Sequence, residues 1–272
     1  KNMGSPKIVT FSSLKGGSSK TTDVISIAED LADKGHKVLL IDKDHQCNLT
    51  HFYGVYEQEG TIAEVYDVDG GNEVKVLNVA PNIDLIAGSM ILDEYERRLE
   101  TDNKKNMMFY LWLRKNAQKI NFGQYSYVII DCHPDFGIAT RNAIAVSHEV
   151  ITPVVPGDFS IEGITSVKVR LANYREDEID YTTLETRITA KHHFLPCMIA
   201  NDEPSKLLLE RLSKEDNVIQ GVIPYKVLFK KISKDDTIID MMKRMGDWQK
   251  HKEFFDTFKK TLEQVEKVID EA

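Results

Sequence analysis

The segment Lys15-Gly-Gly-Ser-Ser-Lys-Thr-Thr22 follows a β-branched run, Ile8-Val9-Thr10-Phe11, and leads straight into a helical apolar pattern. A strand, a glycine-containing turn and a helix in that order make a phosphate-binding loop. Backbone N–H groups of such a turn point inward, the helix presents its positive end, and a lysine returns over the loop. Lys20 is placed as that lysine and Thr21 as a hydroxyl ligand of Mg²⁺, with Gly16, Gly17, Ser18, Ser19 and Thr22 as further nucleotide contacts. Two features depart from the plain pattern GxxxxGK(S/T): a second lysine, Lys15, inside the loop, and Ser19 where the pattern has glycine.

The rest of the chain supports one fold class. Short apolar runs at Lys7–Phe11, Lys37–Ile41, Ile83–Ala87, Tyr127–Asp131, Glu149–Val155, Phe194–Ala200 and Val218–Ile223 read as strands. Several are apolar on both faces, as in a parallel sheet covered on both sides. Between them, Thr22–Lys34 sets Val24, Ile27, Ala28 and Leu31 on one helical face, and Ile161, Ile164, Val167 and Leu171 repeat the pattern. The expectation is an α/β, doubly wound, mostly parallel sheet flanked by helices on both faces, with ligands at the carboxyl ends of the strands. Phe254, Phe258, Leu262, Val265 and Ile269 form a last amphipathic stripe, read as a helix packing on the core.

A chain of 272 residues with 42% hydrophobic content can bury one large core. Without a linker or repeat, residues 6–272 read as a single domain, and residues 1–5 as a disordered leader or cloning remnant. No apolar run is long enough to span a bilayer, so a cytoplasmic location is expected. Cys47, Cys132 and Cys197 are too widely spaced for a disulfide framework or a metal knuckle. A net charge of −8 argues against nucleic-acid binding over the whole surface, although Pro224–Lys260 carries ten Lys/Arg against six Asp/Glu.

Two further strand ends strengthen the nucleotide reading. Val38–Ile41 runs into Asp42-Lys43-Asp44-His45-Gln46, and Tyr127–Ile130 into Asp131-Cys132-His133-Pro134. Carboxylates there can hold Mg²⁺ and an attacking water beside a triphosphate. Singly, each could instead cap the following helix.

Here the residues resemble the deviant Walker A ATPases of the ParA/MinD group, most closely the short plasmid and chromosome partition ATPases called ParA. The family loop KGGxGKTT is matched at Lys15, Gly16, Gly17, Lys20, Thr21 and Thr22. DxDPQGN is matched at Asp42, Asp44, Gln46 and Asn48, and IIDxPP at Ile129, Ile130, Asp131 and Pro134. Weaker echoes continue at Pro156, Glu162-Gly163 and Val222-Ile223-Pro224. The resemblance implies a Mg²⁺-dependent ATPase that forms an ATP-sandwich homodimer, with Lys15 reaching the partner's phosphates. It further implies Asp44 orienting the attacking water, Asp42 and Asp131 supporting Mg²⁺, and Asn201 and Pro224 lining the adenine pocket. The loop begins too early in the chain to leave room for the helix-turn-helix of longer relatives, so self-repression is not expected.

Non-specific DNA binding by the ATP-bound dimer, a nucleoid-associated location and release by a ParB-type centromere-binding adaptor are also implied. Such DNA binding needs a basic surface. Lys226, Lys230, Lys231 and Lys234 are candidates, with Lys206 and Arg211 behind them, unless they form only a solvated face.

The departures from the family cluster at the site. Ser19 and Cys47 stand where the family has glycine, and His45 and His133 where it has proline. A serine forced into a left-handed conformation would cost on the order of 1–2 kcal/mol. A slowed ATPase and a nucleotide-binding adaptor with impaired hydrolysis both fit these changes. A metal set made of His45 and His133 with Cys47 or Cys132 has no support in their spacing. A MinD-like membrane-cycling ATPase would want a basic, apolar C-terminal helix, whereas this chain ends Val-Ile-Asp-Glu-Ala, so no stable membrane anchor is expected. An iron–sulfur reductase component would need two spare cysteines, and only Cys197 lies outside the nucleotide motifs.

Overall fold

The computed structural model describes residues 5–13, 17, 19–67, 73–157 and 161–272. Within them, β1 (Lys7–Phe11), β2 (Val38–Lys43), β3 (Leu77–Ala80), β4 (Ile83–Ile86), β5 (Tyr127–Cys132), β6 (Glu149–Val154) and β7 (Lys191–Pro196) form one sheet. Its order is β3-β4-β2-β5-β1-β6-β7. All neighbours pair in parallel except β3 and β4, a hairpin turned at Asn82 with φ 61°. The antiparallel edge strand was not expected, because Leu77–Ala80 is short and only half-buried.

The helices are α1 (Lys20–Asp33), α2 (Asn48–Phe52), α3 (Leu92–Leu99), α4 (Met108–Asn116), α5 (Ile138–Val146), α6 (Ile161–Asp177), α7 (Glu203–Leu212), α8 (Ile238–Lys243), α9 (Met245–Lys250) and α10 (Lys252–Asp270). They divide between the two faces of the sheet. Val9, Phe11, Leu40 and Ile129 point toward α1, α8 and α10, while Leu39, Ile41, Val128 and Ile130 point toward α3, α4 and α5. A third cluster joins α6 and α7 to Val150, Val154 and Phe194. Strands buried on both faces leave their carboxyl ends as the natural place for polar groups.

The expected C-terminal stripe is a packing face. Phe254, Phe255, Phe258, Leu262, Val265 and Ile269 are all buried in the α1-side core. Each such side chain contributes roughly 1.5–3 kcal/mol of burial, and packed this way the stripe presents no apolar face to the surroundings. Among the described residues no helix is long and apolar enough to cross a membrane.

Two strand expectations need correction. The run expected at Phe194–Ala200 enters the sheet earlier and stops at Pro196. Val218–Ile223 forms no regular strand, although Ile219 N and Ile223 N donate to Phe194 O and Pro196 O. Between those bonds, Gly221 takes φ 117°, and Thr261 Oγ1 of α10 receives Val222 N at 3.1 Å and donates to Val222 O at 2.8 Å. A Cβ on Gly221 would lie 2.7 Å from that hydroxyl. The ladder breaks because Pro196 has no N–H to give Ile219 O, and the chain then bulges so that Ile223 rather than Gly221 donates to Pro196 O, while Thr261 satisfies Val222 on the other side.

Candidate functional site

The phosphate loop runs from the end of β1 to the start of α1. Lys15, Gly16 and Ser18 lie outside the described residues. Gly17 has φ 77°, and Ser19 sits in the left-handed region at φ 61°, the conformation that makes glycine favourable there. Ser19 O accepts Asp23 N at 2.9 Å, starting the helix, and Ser19 Oγ donates to Asp23 Oδ2 at 2.8 Å. Burial pushes the Asp23 carboxyl up to about 7, against the hydroxyl of Ser19 and the thiol of Cys197.

Lys20 is 6% exposed, unusual for a lysine unless it is paired. Its Nζ donates to Asp131 Oδ1 and lies 4.0 Å from Asp44 Oδ2, while Thr21 Oγ1 donates to Asp131 Oδ2 at 2.7 Å. Burial disfavours the ammonium, but Asp131 and then Asp44 outweigh it and hold Lys20 above its ordinary value. The lysine is therefore charged and aimed at the strand ends.

The loop after β2 is built around two carboxylates with opposite environments. Asp42 is fully buried and accepts Asp44 N at 3.0 Å, Thr50 N at 3.0 Å and Thr50 Oγ1 at 2.7 Å. Burial and the neighbouring Asp131 nevertheless push its carboxyl up. Burial acts on Asp44 in the same sense, but Gln46 N, the imidazole of His133 and Lys20 outweigh it and hold the carboxyl below its usual range. Asp44 Oδ1 accepts Gln46 N at 2.9 Å and meets His133 Nδ1 at 2.9 Å. Asp44 is thus the ionised, positioned carboxylate of the pair. Cys47, the second glycine replacement, is also left-handed at φ 55°.

Sequence reasoning missed the residues that support these groups. Thr50 holds Asp42 and also accepts Gly88 N at 2.8 Å. Gly88 is required by close approach, since a Cβ there would lie 2.9 Å from Asp42 Cγ and 3.2 Å from Cys47 Sγ. Neither carries a motif signal. His133 could have been placed, because β2 and β5 pair Asp42 with Asp131 and Lys43 with Cys132, so Asp44 and His133 follow in register.

A cavity of about 380 Å³ joins these pieces, lined by Gly17, Lys20, Thr21, Thr22, Asp44 and His133 among others. An adjoining pocket of about 160 Å³ shares Ser19 and Thr22 and adds Met198, Pro224, Lys226, Phe229 and Lys230. Pro224 therefore lines the adjoining pocket rather than the main cavity, and Asn201 lines a third one, together with Pro224 and Lys226. Thr21 and Asp131 present hard oxygen donors 2.7 Å apart, with Asp42 beside Asp131 across the β2–β5 pair. Such donors fit Mg²⁺, which takes few protein oxygens and keeps its waters.

The basic candidates fall in two places, with Lys226 and Lys230 lining the same pocket. Lys226 lies 5.7 Å from the Phe254 ring centroid, Lys231 is exposed and Lys234 sits 3.6 Å from Asp235. Lys206 and Arg211 are on α7, which packs in a different cluster, and Arg211 is tied to Glu215 at 2.8 Å. The three cysteines are buried and free, and Cys197 faces Asp23 at 3.3 Å.

Parallel strands whose carboxyl ends converge on a lysine-closed loop are the construction of P-loop nucleotide-binding proteins. Residues 6–181 match the AAA domain family model, and the chain belongs to that family. It is 29% identical over 226 residues to the sporulation initiation inhibitor protein Soj of Bacillus subtilis, covering 80% of this chain and 84% of Soj. It is also 29% identical over 170 residues to the chromosome partitioning protein ParA of Myxococcus xanthus, covering 59% of this chain and 56% of that one. The match thus spans little more than half of the latter. In fold, the chain is similar to a putative plasmid partition protein from Borrelia burgdorferi bound to AMPPNP, with TM-score 0.70 and 22% identity over 94% of this chain and 99% of that one.

Proposed function

We propose that the protein is an ATP- and Mg²⁺-dependent partition ATPase, acting as a nucleotide-gated homodimer that binds DNA without sequence preference. The observation that carries this reading is that Lys20, Thr21 and Asp44 line one cavity while the buried Asp131, paired in register with Asp42, bonds both Lys20 and Thr21 from beneath. Lys20 and the loop backbone bind the phosphates. Thr21 and Asp131 hold Mg²⁺, which neutralises charge on the phosphate oxygens, and Asp42 supports it through Asp131's side of the site. Asp44, ionised and fixed by Gln46 and His133, orients the attacking water. Lys15 reaches the partner subunit's nucleotide, coupling occupancy to dimerisation, and an adaptor bound to the partitioned DNA stimulates hydrolysis. Lys226, Lys230, Lys231 and Lys234 supply the DNA-facing charge, and Pro224 and Asn201 border the base.

The left-handed Ser19 favours a second reading, a nucleotide-binding adaptor in which turnover is impaired while binding persists. One experiment separates the two. DNA retention and phosphate release are measured with ATP, ADP and no nucleotide, for the native chain and Lys20→Ala. ATP-dependent DNA retention with phosphate release, both lost in Lys20→Ala, is expected. Retention without release selects the adaptor reading, and ATP-independent behaviour of both proteins overturns the partition reading.

A further inference from the structure

The loops after β2 and β5 bring together three groups of a different chemistry from the Mg²⁺ donors. A carboxylate oxygen of Asp44 and ring nitrogens of His45 and His133 all lie within 4.8 Å of one another. His133 Nδ1 is already 2.9 Å from Asp44 Oδ1, and the His45 and His133 ring centroids are 3.9 Å apart with planes inclined by 33°. The spacing in the chain gave no hint of a ligand set, because Asp44 and His133 are 89 positions apart. The β2–β5 register places them side by side.

We propose that Asp44, His45 and His133 form a binding site for a divalent transition ion of the Zn²⁺ or Co²⁺ class, distinct from the Mg²⁺ position. Two imidazoles and a carboxylate are donors such ions prefer, whereas Mg²⁺ selects oxygen alone. Asp44 and His133 both line the main cavity, so the remaining coordination positions open to water. Neither Cys47 nor Cys132 belongs to this group of mutually close ligand atoms. Coordination engages the carboxylate assigned to the attacking water, so occupancy lowers ATP turnover. That consequence rests on the ATPase reading; the binding of the ion does not.

The test begins with the full chain free of nucleotide, titrated with Co²⁺ and followed by visible absorption, then by displacement with Zn²⁺. One saturable equivalent is expected. Loss of a hydrogen-bonding supporter alone weakens a metal site roughly 10–100-fold, so His45→Ala and His133→Asn should weaken it at least that much. Asn at 133 keeps a hydrogen-bonding group beside Asp44, and unchanged thermal unfolding of both variants shows that folding is intact. No saturable binding, or binding by either variant as tight as by the native chain, overturns the site and leaves Asp44–His133 a hydrogen-bonded pair only. With one equivalent of Zn²⁺, Mg²⁺-ATP turnover of the native chain should fall roughly tenfold while His45→Ala is spared, and an unchanged native rate overturns the regulatory consequence. Intact Co²⁺ binding with no turnover in metal-free protein instead overturns the ATPase reading and leaves the metal site standing.

Discussion

The turn after β1 and the turn after β2 solve the same problem with different means. Each holds a residue with a Cβ in the left-handed region, Ser19 at φ 61° and Cys47 at φ 55°, at a cost of roughly 1–2 kcal/mol. Each lies beside a buried carboxyl, Asp23 in the first and Asp42 in the second. In the first turn the strained residue itself bonds the carboxyl, through Ser19 Oγ at 2.8 Å. In the second, Asp42 is held by Thr50 and Asp44 N, and Cys47 Sγ makes only a 3.7 Å contact to His45 O. Polar compensation is local at Ser19 and delegated at Cys47, so the same backbone strain should have different mutational consequences.

The largest expected effect is the pH dependence carried by Asp23. Its folded carboxyl is raised to about 7, so between the ordinary value of 3.8 and 7 the folded state binds the extra proton. Stability from this group therefore falls as pH rises through that window, by up to about 1.4 kcal/mol per pH unit, and levels off above it. His192, lowered to about 3 by burial, acts oppositely between 3 and 6.5. Urea unfolding of the native chain and Asp23→Asn, compared from pH 4 to 8, isolates the Asp23 contribution. A stability difference flat across pH 4–7 would show that Ser19 faces an ordinary ionised carboxylate, and the likeness between the two turns would fail.

Next comes Thr50→Val, which preserves shape but removes the hydroxyl that donates to Asp42 and accepts Gly88 N. A buried carboxyl and a buried N–H each lose a partner, so a loss of about 2–3 kcal/mol is expected from urea midpoints at pH 7.5. A change below about 0.5 kcal/mol would mean that Asp42 does not depend on Thr50 for its compensation.

The legibility of the site follows the range of its interactions. Lys20, Thr21, Asp42, Asp44 and Asp131 were readable because each stands at a fixed offset from an apolar strand, and the β1, β2 and β5 ends were placed within two residues. The positive φ at Ser19 was foreseeable because a glycine position in a tight loop exposes a conformational demand. Gly88 and the Thr261 clasp on Val222 were not, since each acts across 38 or 39 positions, and Thr50, although only eight positions from Asp42, carries no motif or periodicity to betray its bond. The broken eighth strand has a related cause: its β-branched residues satisfy strand propensity, but the strand it would pair with ends at Pro196, which has no N–H to continue the ladder.

The sharpest comparison of the two turns is also the smallest in energy. Ser19→Ala and Cys47→Ala each retain a Cβ and hence the left-handed strain. Ser19→Ala deletes a buried hydrogen bond to Asp23, so it should cost about 1–2 kcal/mol in thermal or urea unfolding. Cys47→Ala deletes only a weak sulfur contact and a small buried volume, so a cost of roughly 0.5 kcal/mol is expected. Ser19→Gly relieves strain but loses the hydrogen bond and adds chain entropy, leaving a net change near zero. Equal losses in the two alanine variants would mean that Ser19 is held by its backbone alone. A serine in that turn would then be tolerated without its partner, and Asp23 would need another explanation.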